Sequence, residues 1–265
     1  MKSDTQIPPS GVAGGVDFFL DGVVTSTNPV PIIDSLRDAH SVPGEELRLL
    51  RAKVRTLRQQ RGVRCIGLSS ALPGEGKSTI SLGLATALAR EAGCRVLLIE
   101  ADLRRPSISS TLGVPPAPGL AEWLTGNLDR VPIRVVQPGG FRLLVAGCAP
   151  LESPESVGSP LMEALLRSAR EAFDYVLLDG PPVLAVSDTI LMQDLVDGLL
   201  IVARSRLTPR EAILDALGRL RADKILGLVL NDHREYRHSY QAYAYERYGM
   251  GERSGAAPVS LRKRR

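Results

Sequence analysis

Ser69-Ser70-Ala71-Leu72-Pro73-Gly74-Glu75-Gly76-Lys77-Ser78-Thr79 decides the fold. It follows an apolar run, Cys65-Ile66-Gly67-Leu68, and opens a helical pattern from Ile80 to Ala89. A strand, a glycine-containing loop and a Gly-Lys-Ser helix start form a phosphate cradle. The backbone N–H groups of the loop and first helical turn have no acceptor within the helix, so an anion can take them. Lys77 reaches the β- and γ-phosphates of such a ligand, and the Ser78 hydroxyl ligates Mg²⁺. The first glycine of the G-x-x-x-x-G-K-[ST] pattern is replaced by Ala71, whose Cβ requires an ordinary φ there.

Outward from the loop the pattern alternates. Val63 to Ser69 reads as the first strand, Lys77 to about Ala92 as a helix closed by Gly93, and Arg95 to Glu100 as a second apolar strand. Residues 106–130 read as short helices and turns, and Phe141 to Ala146 as a strand. Ser159-Pro160 is an N-cap and N1 pair for a helix to about Ala172. Tyr175 to Asp179, Gly198 to Ala203 and Ile225 to Leu230 read as further strands. Thr208-Pro209-Arg210-Glu211 looks like a capping box for a helix to about Arg221. Strands alternating with helices predict a doubly wound α/β domain, a mostly parallel sheet with helices on both faces. Its functional loops belong at the carboxyl ends of the strands.

Acidic residues fall at two such ends: Glu100 and Asp102 after one strand, Asp179 after another. A lone acidic residue there is usually a cap or turn former. Three beside a phosphate loop favour metal or proton work, since Mg²⁺ needs only one or two carboxylates near the phosphates.

Residues 1–44 are rich in Gly, Pro, Ser, Thr and Asp and read as a flexible N-terminal arm with docking points at Phe18-Phe19-Leu20 and Val30-Pro31-Ile32-Ile33. Helix 45–60 follows, with Leu47, Leu50, Val54 and Leu57 on one face. Glu45, Arg48 and Arg51 on that helix read either as a solvated face with i,i+3 ion pairs or as a subunit contact. The main domain covers residues 45–232.

The 265 residues carry a net charge of +4, too mild to argue for nucleic acid, although Leu261 to Arg265 is a basic run. Such a run is usually solvated; anionic lipid or an acidic partner is the other reading. Three widely separated cysteines suit a reduced compartment, and no Cys/His spacing suggests zinc. With no apolar run of about 18 residues and no leader-like start, the chain reads as cytoplasmic.

Five of the six tyrosines, Tyr236, Tyr240, Tyr243, Tyr245 and Tyr248, crowd into the segment 233–265, which reads as a mobile tail. Their spacing fits no single helical stripe, and no Leu, Ile or Val lies between His233 and Gly249. Base stacking is one use for exposed aromatics, but a phosphate loop makes phosphoryl acceptance more coherent. Each phosphorylation adds about −1.5 to −2 charge at pH 7, so the cluster reads as a graded switch of assembly.

Taken together these residues resemble the bacterial tyrosine kinases of capsule and exopolysaccharide biosynthesis over about residues 42–250. The loop resembles their Walker A motif, Val96 to Pro106 their Walker A′ and Tyr175 to Pro182 their Walker B. Glu45, Arg48 and Arg51 resemble their oligomerisation helix, which favours the subunit contact over the solvated face. Tyr236 to Tyr248 resemble their autophosphorylation cluster. The resemblance implies a P-loop fold of the Min/Par type and ATP-dependent tyrosine autophosphorylation between subunits of a ring-like homo-oligomer. It implies ATP at Pro73, Gly74, Glu75, Gly76, Lys77, Ser78 and Thr79, and Mg²⁺ at Ser78, Asp102 and Asp179. Catalysis would fall to Lys77, Glu100, Asp102 and Asp179, with Glu100 or Asp102 accepting the tyrosine proton. The implied partners are a membrane polysaccharide co-polymerase as activator, holding the kinase at the inner membrane, and a tyrosine phosphatase as antagonist, with no nucleic acid.

Two positions depart from the family pattern. Glu100 stands where Asp is usual, and Gly180 where Thr is usual. Misplacing a catalytic carboxylate by about 1 Å costs on the order of 100-fold in rate, so a less active enzyme is one expectation. A Min/Par-like ATPase and a weakly active ATP-binding scaffold of the export machinery are the rival readings.

Overall fold

Cys65–Ser70 is buried at all six positions, and Val96–Glu100 and Tyr175–Asp179 at all five. Strands covered on both faces read as continuous apolar runs, and these three form the centre of the sheet. The computed structural model describes residues 15–38, 41–150 and 157–232. In chain order the strands are β1 Phe18–Thr25, β2 Cys65–Ser70, β3 Val96–Glu100, β4 Val131–Gln137, β5 Arg142–Leu144, β6 Tyr175–Asp179, β7 Gly198–Arg204 and β8 Ile225–Asn231. The helices are α1 Pro31–Asp34, α2 Val42–Arg61, α3 Lys77–Ala89, α4 Ile108–Leu112, α5 Leu120–Leu124, α6 Pro160–Ala172, α7 Asp188–Leu195 and α8 Arg210–Gly218.

One eight-stranded sheet runs β1-β4-β5-β3-β6-β2-β7-β8. Every pairing is parallel except β4 with β5. Alternate residues feed two cores. On one face Ile66, Leu68, Leu98 and Leu177 pack with Val54 of α2, Leu84 and Leu88 of α3 and Ile108 of α4. On the other, Leu97, Ile99, Val176 and Leu178 pack with Trp123 of α5, Leu165 of α6, Met192 of α7 and Ala216 of α8. The expected doubly wound, mostly parallel sheet is the architecture found. Helix α3 lies beneath the centre, with every residue from Ile80 to Leu88 buried.

Four local expectations are corrected. Residues 18–38 are not a free arm. Phe18–Thr25 is an edge strand in register with Val131–Gln137, and Phe18 meets Phe173 edge-on at 5.7 Å. The apolar islands of this stretch are core contacts, with Ile33 2% exposed. Strand β4 was not expected, because Pro132 and Arg134 interrupt its apolar run; the Arg134 guanidinium is buried against Asp21 and the carbonyls of Pro115 and Ala117. Helix α2 begins at Val42 rather than 45, capped by Ser41, which accepts from the Gly44 amide, and stops at Gly62 with φ +70°. Helix α8 has no capping box. Pro209 is its N-cap, its last residue is Gly218, and the Thr208 hydroxyl serves another purpose described below. By contrast Ser159 caps α6 as expected, accepting from the Met162 amide at 3.2 Å.

The compact unit ends at Asp232. The tyrosines of 233–265 lie outside the described residues.

Candidate active site

The sheet order places the carboxyl ends of β3, β6 and β2 side by side. The loop after β2 turns through Gly74 (φ +81°) and Gly76 (φ +92°), while Ala71 keeps an ordinary φ and is fully buried. Gly76 is the N-cap of α3 and offers no side-chain cap, so the amides of the first turn remain for an anion. The Glu75 side chain turns inward. Its Oε2 accepts from the Leu72 amide at 3.0 Å and its Oε1 accepts from the Thr208 hydroxyl. Thr208 Oγ1 in turn accepts from the Arg204 amide at the end of β7. The loop is therefore braced from behind by Thr208, a residue expected to cap helix α8.

Lys77, Ser78, Asp102 and Asp179 meet in one place. Lys77 Nζ lies 3.4 Å from Asp102 Oδ2. Ser78 donates to Asp179 Oδ2 at 2.6 Å, and Ser81, one helical turn on, donates to Asp179 Oδ1 at 2.9 Å. Burial pushes the Asp179 carboxyl up to about 6; the Lys77 charge and the two serine hydroxyls pull it down, and Glu100 adds to the rise. The Asp179 carbonyl accepts from both the Ala101 and Asp102 amides at 2.9 Å, which hangs the β3 loop on β6. That loop is tied down again by Arg104, whose guanidinium forms a two-pronged bond to Asp188 at 3.1 and 3.4 Å. Thr79, Pro73 and Gly74 are exposed at the mouth.

Glu100 does not face this cleft. It is fully buried, and its carboxylate accepts from the main-chain amides of Ser107 at 2.6 Å, Ile108 at 2.5 Å and Ala146 at 3.1 Å. A carboxylate committed to three amides beneath the floor of the site has no path to a substrate hydroxyl. The expectation that Glu100 accepts a proton does not fit this placement; of the two carboxylates named for that role, Asp102 is the one beside Lys77.

Among the described residues no three His, Cys, Asp or Glu side chains cluster to hold a metal on their own. One hydroxyl and two carboxylates beside a phosphate cradle are the hard, incomplete donor set that suits Mg²⁺, whose remaining positions go to phosphate oxygens and water.

On helix α2, Glu45 and Arg48 pair with each other at 2.7 Å. Arg51 donates to the Ala87 carbonyl at 3.2 Å and faces Glu91 at 3.7 Å. The residues that sequence reasoning missed are Ser81, Arg104, Ser107, Thr208 and Asn231. Asn231 and Arg104 carry a positional signal, at or just past the carboxyl end of a strand, and Thr208 reads from the sequence only as a helix cap.

A phosphate loop closing on a helix start, with strand-end carboxylates beside its Lys and Ser, defines a P-loop nucleotide-binding protein. The chain belongs to the CobQ/CobB/MinD/ParA nucleotide binding domain family, which it matches over residues 70–253, and within it to the bacterial tyrosine kinases. It is 30% identical over 213 residues to the tyrosine-protein kinase YwqD of Bacillus subtilis, covering 79% of this chain and 89% of YwqD. It is 37% identical over 203 residues to the succinoglycan biosynthesis transport protein ExoP of Rhizobium meliloti, covering 69% of this chain and 26% of ExoP. The kinase domain of the Escherichia coli tyrosine kinase ETK superposes with a TM-score of 0.72 at 28% identity, covering 90% of this chain and 87% of that one. No helix among the described residues is long and apolar enough to cross a membrane.

Proposed function

We propose that this chain transfers the γ-phosphoryl group of ATP to tyrosines Tyr236, Tyr240, Tyr243, Tyr245 and Tyr248 of neighbouring copies. The observation that carries the reading is the convergence of Lys77, Ser78, Asp102 and Asp179 at three adjacent strand ends, on a chain with a tyrosine cluster at residues 236–248. The amides of residues 74–79 cradle the phosphates, and Lys77 leaves Asp102 to neutralise them. Ser78 and Asp179, with Asp102 beside them, would hold Mg²⁺, which would supply charge neutralisation of the phosphates. A tyrosine with an ordinary pKa of about 10 docks protonated. Its oxygen bonds to the γ-phosphorus as the bond to the β,γ-bridging oxygen breaks. ADP leaves, and the phenolic proton passes to the Asp102 carboxylate freed by Lys77. Because the phosphoryl transition state is loose, the acceptor is needed only late in the transfer.

The wider setting rests on the relatives. ExoP is named for polysaccharide transport, so the reading extends to regulation of exopolysaccharide or capsule export from a cytoplasmic, ring-like homo-oligomer built through Glu45, Arg48 and Arg51. A membrane co-polymerase serves as activator and a tyrosine phosphatase as antagonist. Incubation with γ-labelled ATP and Mg²⁺ tests the core of it. Label on residues 236–248, lost in Lys77→Met, supports the kinase. Phosphate release without labelled protein indicates a Min/Par-like ATPase, and neither product indicates a nucleotide-binding scaffold.

A further inference from the structure

We infer that Ser107 is a positioning residue of the metal site, and that Glu100 holds it in place. Ser107 precedes helix α4, and its hydroxyl donates to Ser78 Oγ at 2.9 Å. Ser78 is the loop hydroxyl assigned to Mg²⁺ above, and the inference rests on that reading.

A hydroxyl has one proton and two lone pairs. An ionised carboxylate only accepts, so the Ser78 proton belongs to Asp179 Oδ2, 2.6 Å away. Ser107 then fills one lone pair of Ser78 Oγ. One lone pair is left in this network, and the free rotation of the hydroxyl is gone. Preorganising a ligand oxygen in this way is what outer partners of metal sites do.

Glu100 supplies the scaffold for that contact. Its Oε1 takes the amides of Ser107 and Ile108 together, while its Oε2 takes Ala146 from the strand-end beyond β5. An aspartate at this position would be shorter by one carbon–carbon bond, about 1.5 Å, enough to carry amides at hydrogen-bond distance out of range. The longer side chain is therefore matched to the placement of Ser107. The departure from the family's usual Asp is a structural strut beneath the cleft rather than a displaced base.

The test is the affinity of the full chain for ADP, measured by titration calorimetry in MgCl₂ and in EDTA. For Ser107→Ala the affinity in EDTA stays at the wild-type value, while the tightening produced by Mg²⁺ shrinks by about 10-fold. Ser107→Thr, which keeps the hydroxyl, restores that tightening. Glu100→Asp reduces it as Ser107→Ala does, and a thermal melt run in parallel reports whether that variant remains folded. If Ser107→Ala keeps the full Mg²⁺-dependent gain, or loses affinity equally in EDTA, the inference is overturned while the metal reading stands. If wild type itself shows no Mg²⁺-dependent gain, the metal reading and the inference fall together.

Discussion

Asn231 Nδ2 donates to the Glu75 carbonyl at 2.9 Å, and a Cβ on Gly76 would collide with the same nitrogen. The last residue of β8 thus grips the nucleotide loop immediately before the chain runs on toward the tyrosine cluster. Gly76 is required by its φ of +92°, and any side chain there would also push the Asn231 amide away from the loop.

Asn231→Ala removes the grip without touching the loop itself. The loss of one partly buried hydrogen bond corresponds to about 1 kcal/mol of local stability, or about 5-fold faster amide exchange across residues 72–77. Hydrogen-exchange mass spectrometry of the nucleotide-free chain reads this directly. Unchanged exchange would mean that Glu75 and Thr208 alone fix the loop.

Asp179 predicts an unusual pH dependence. Its folded value of about 6 lies above the ordinary 3.8, so the neutral acid is the form the fold favours. That stabilisation is complete below about 3.8 and disappears as pH rises through about 6. At 1.36 kcal/mol per pKa unit, carrying the charge at pH 8 destabilises the nucleotide-free chain by about 3 kcal/mol. Asp179→Asn should therefore be more stable than wild type at pH 8 in EDTA, by about 1–3 kcal/mol once imperfect bonding to Ser78 and Ser81 is allowed for. Urea unfolding at pH 8, 7, 6 and 5 should show that advantage closing toward acid. An advantage that grows as pH falls has the wrong sign for this account.

Gly180 stands where related kinases usually carry Thr, and Met192 fills the space. A Cβ on Gly180 would meet Met192 Cε at 2.5 Å and Sδ at 2.8 Å. Met192 is fully buried, so its tip has little room to withdraw. Gly180→Thr is expected to lower stability by about 1–3 kcal/mol through overpacking. Adding Met192→Ala should make the pair less destabilising than the sum of the two single variants, because the two side chains compete for one volume. Strict additivity in chemical denaturation would show that the contact is relieved elsewhere.

The central strands were legible because β2, β3, β6 and β7 each carry an apolar run of four or more residues beside a glycine or a charge. Strand β1 was not, since an edge strand with Asp21 and Gly22 in its middle buries only Phe18 fully. Lys77, Ser78, Asp102 and Asp179 could be read from residue type and position after a strand. Ser107 and Thr208 could not, because a single hydroxyl acquires a role only when the strand order brings its partner alongside. Glu100 was misassigned for a related reason. Its partners are main-chain amides at 107, 108 and 146, and amides leave no trace in a sequence.

The Glu45–Arg48 pair allows subunit contact to be separated from helix stability. The two side chains pair at 2.7 Å within α2, and exposed i,i+3 pairs of this kind contribute about 0.2–0.5 kcal/mol. Exchanging them, as Glu45→Arg with Arg48→Glu, keeps an ion pair of the same spacing and leaves net charge unchanged. The folded chain should lose no more than about 1 kcal/mol relative to wild type, since the spacing of the pair is kept while its orientation against the helix dipole and the remaining contacts of Arg48 change. Where charged groups outside this pair face it on a neighbouring copy, each would meet a charge reversed, and like charges brought together across an interface oppose assembly by several kcal/mol. Sedimentation velocity should then show the oligomer dissociating to the monomer while circular dichroism remains that of wild type. Arg51→Ala is the contrasting variant. Its guanidinium bonds the Ala87 carbonyl and faces Glu91 within the same chain, so it should weaken monomer stability by about 1 kcal/mol as well as assembly. If the exchanged pair assembles as wild type does, Glu45 and Arg48 form a solvated helix face and the subunit contact lies on another surface.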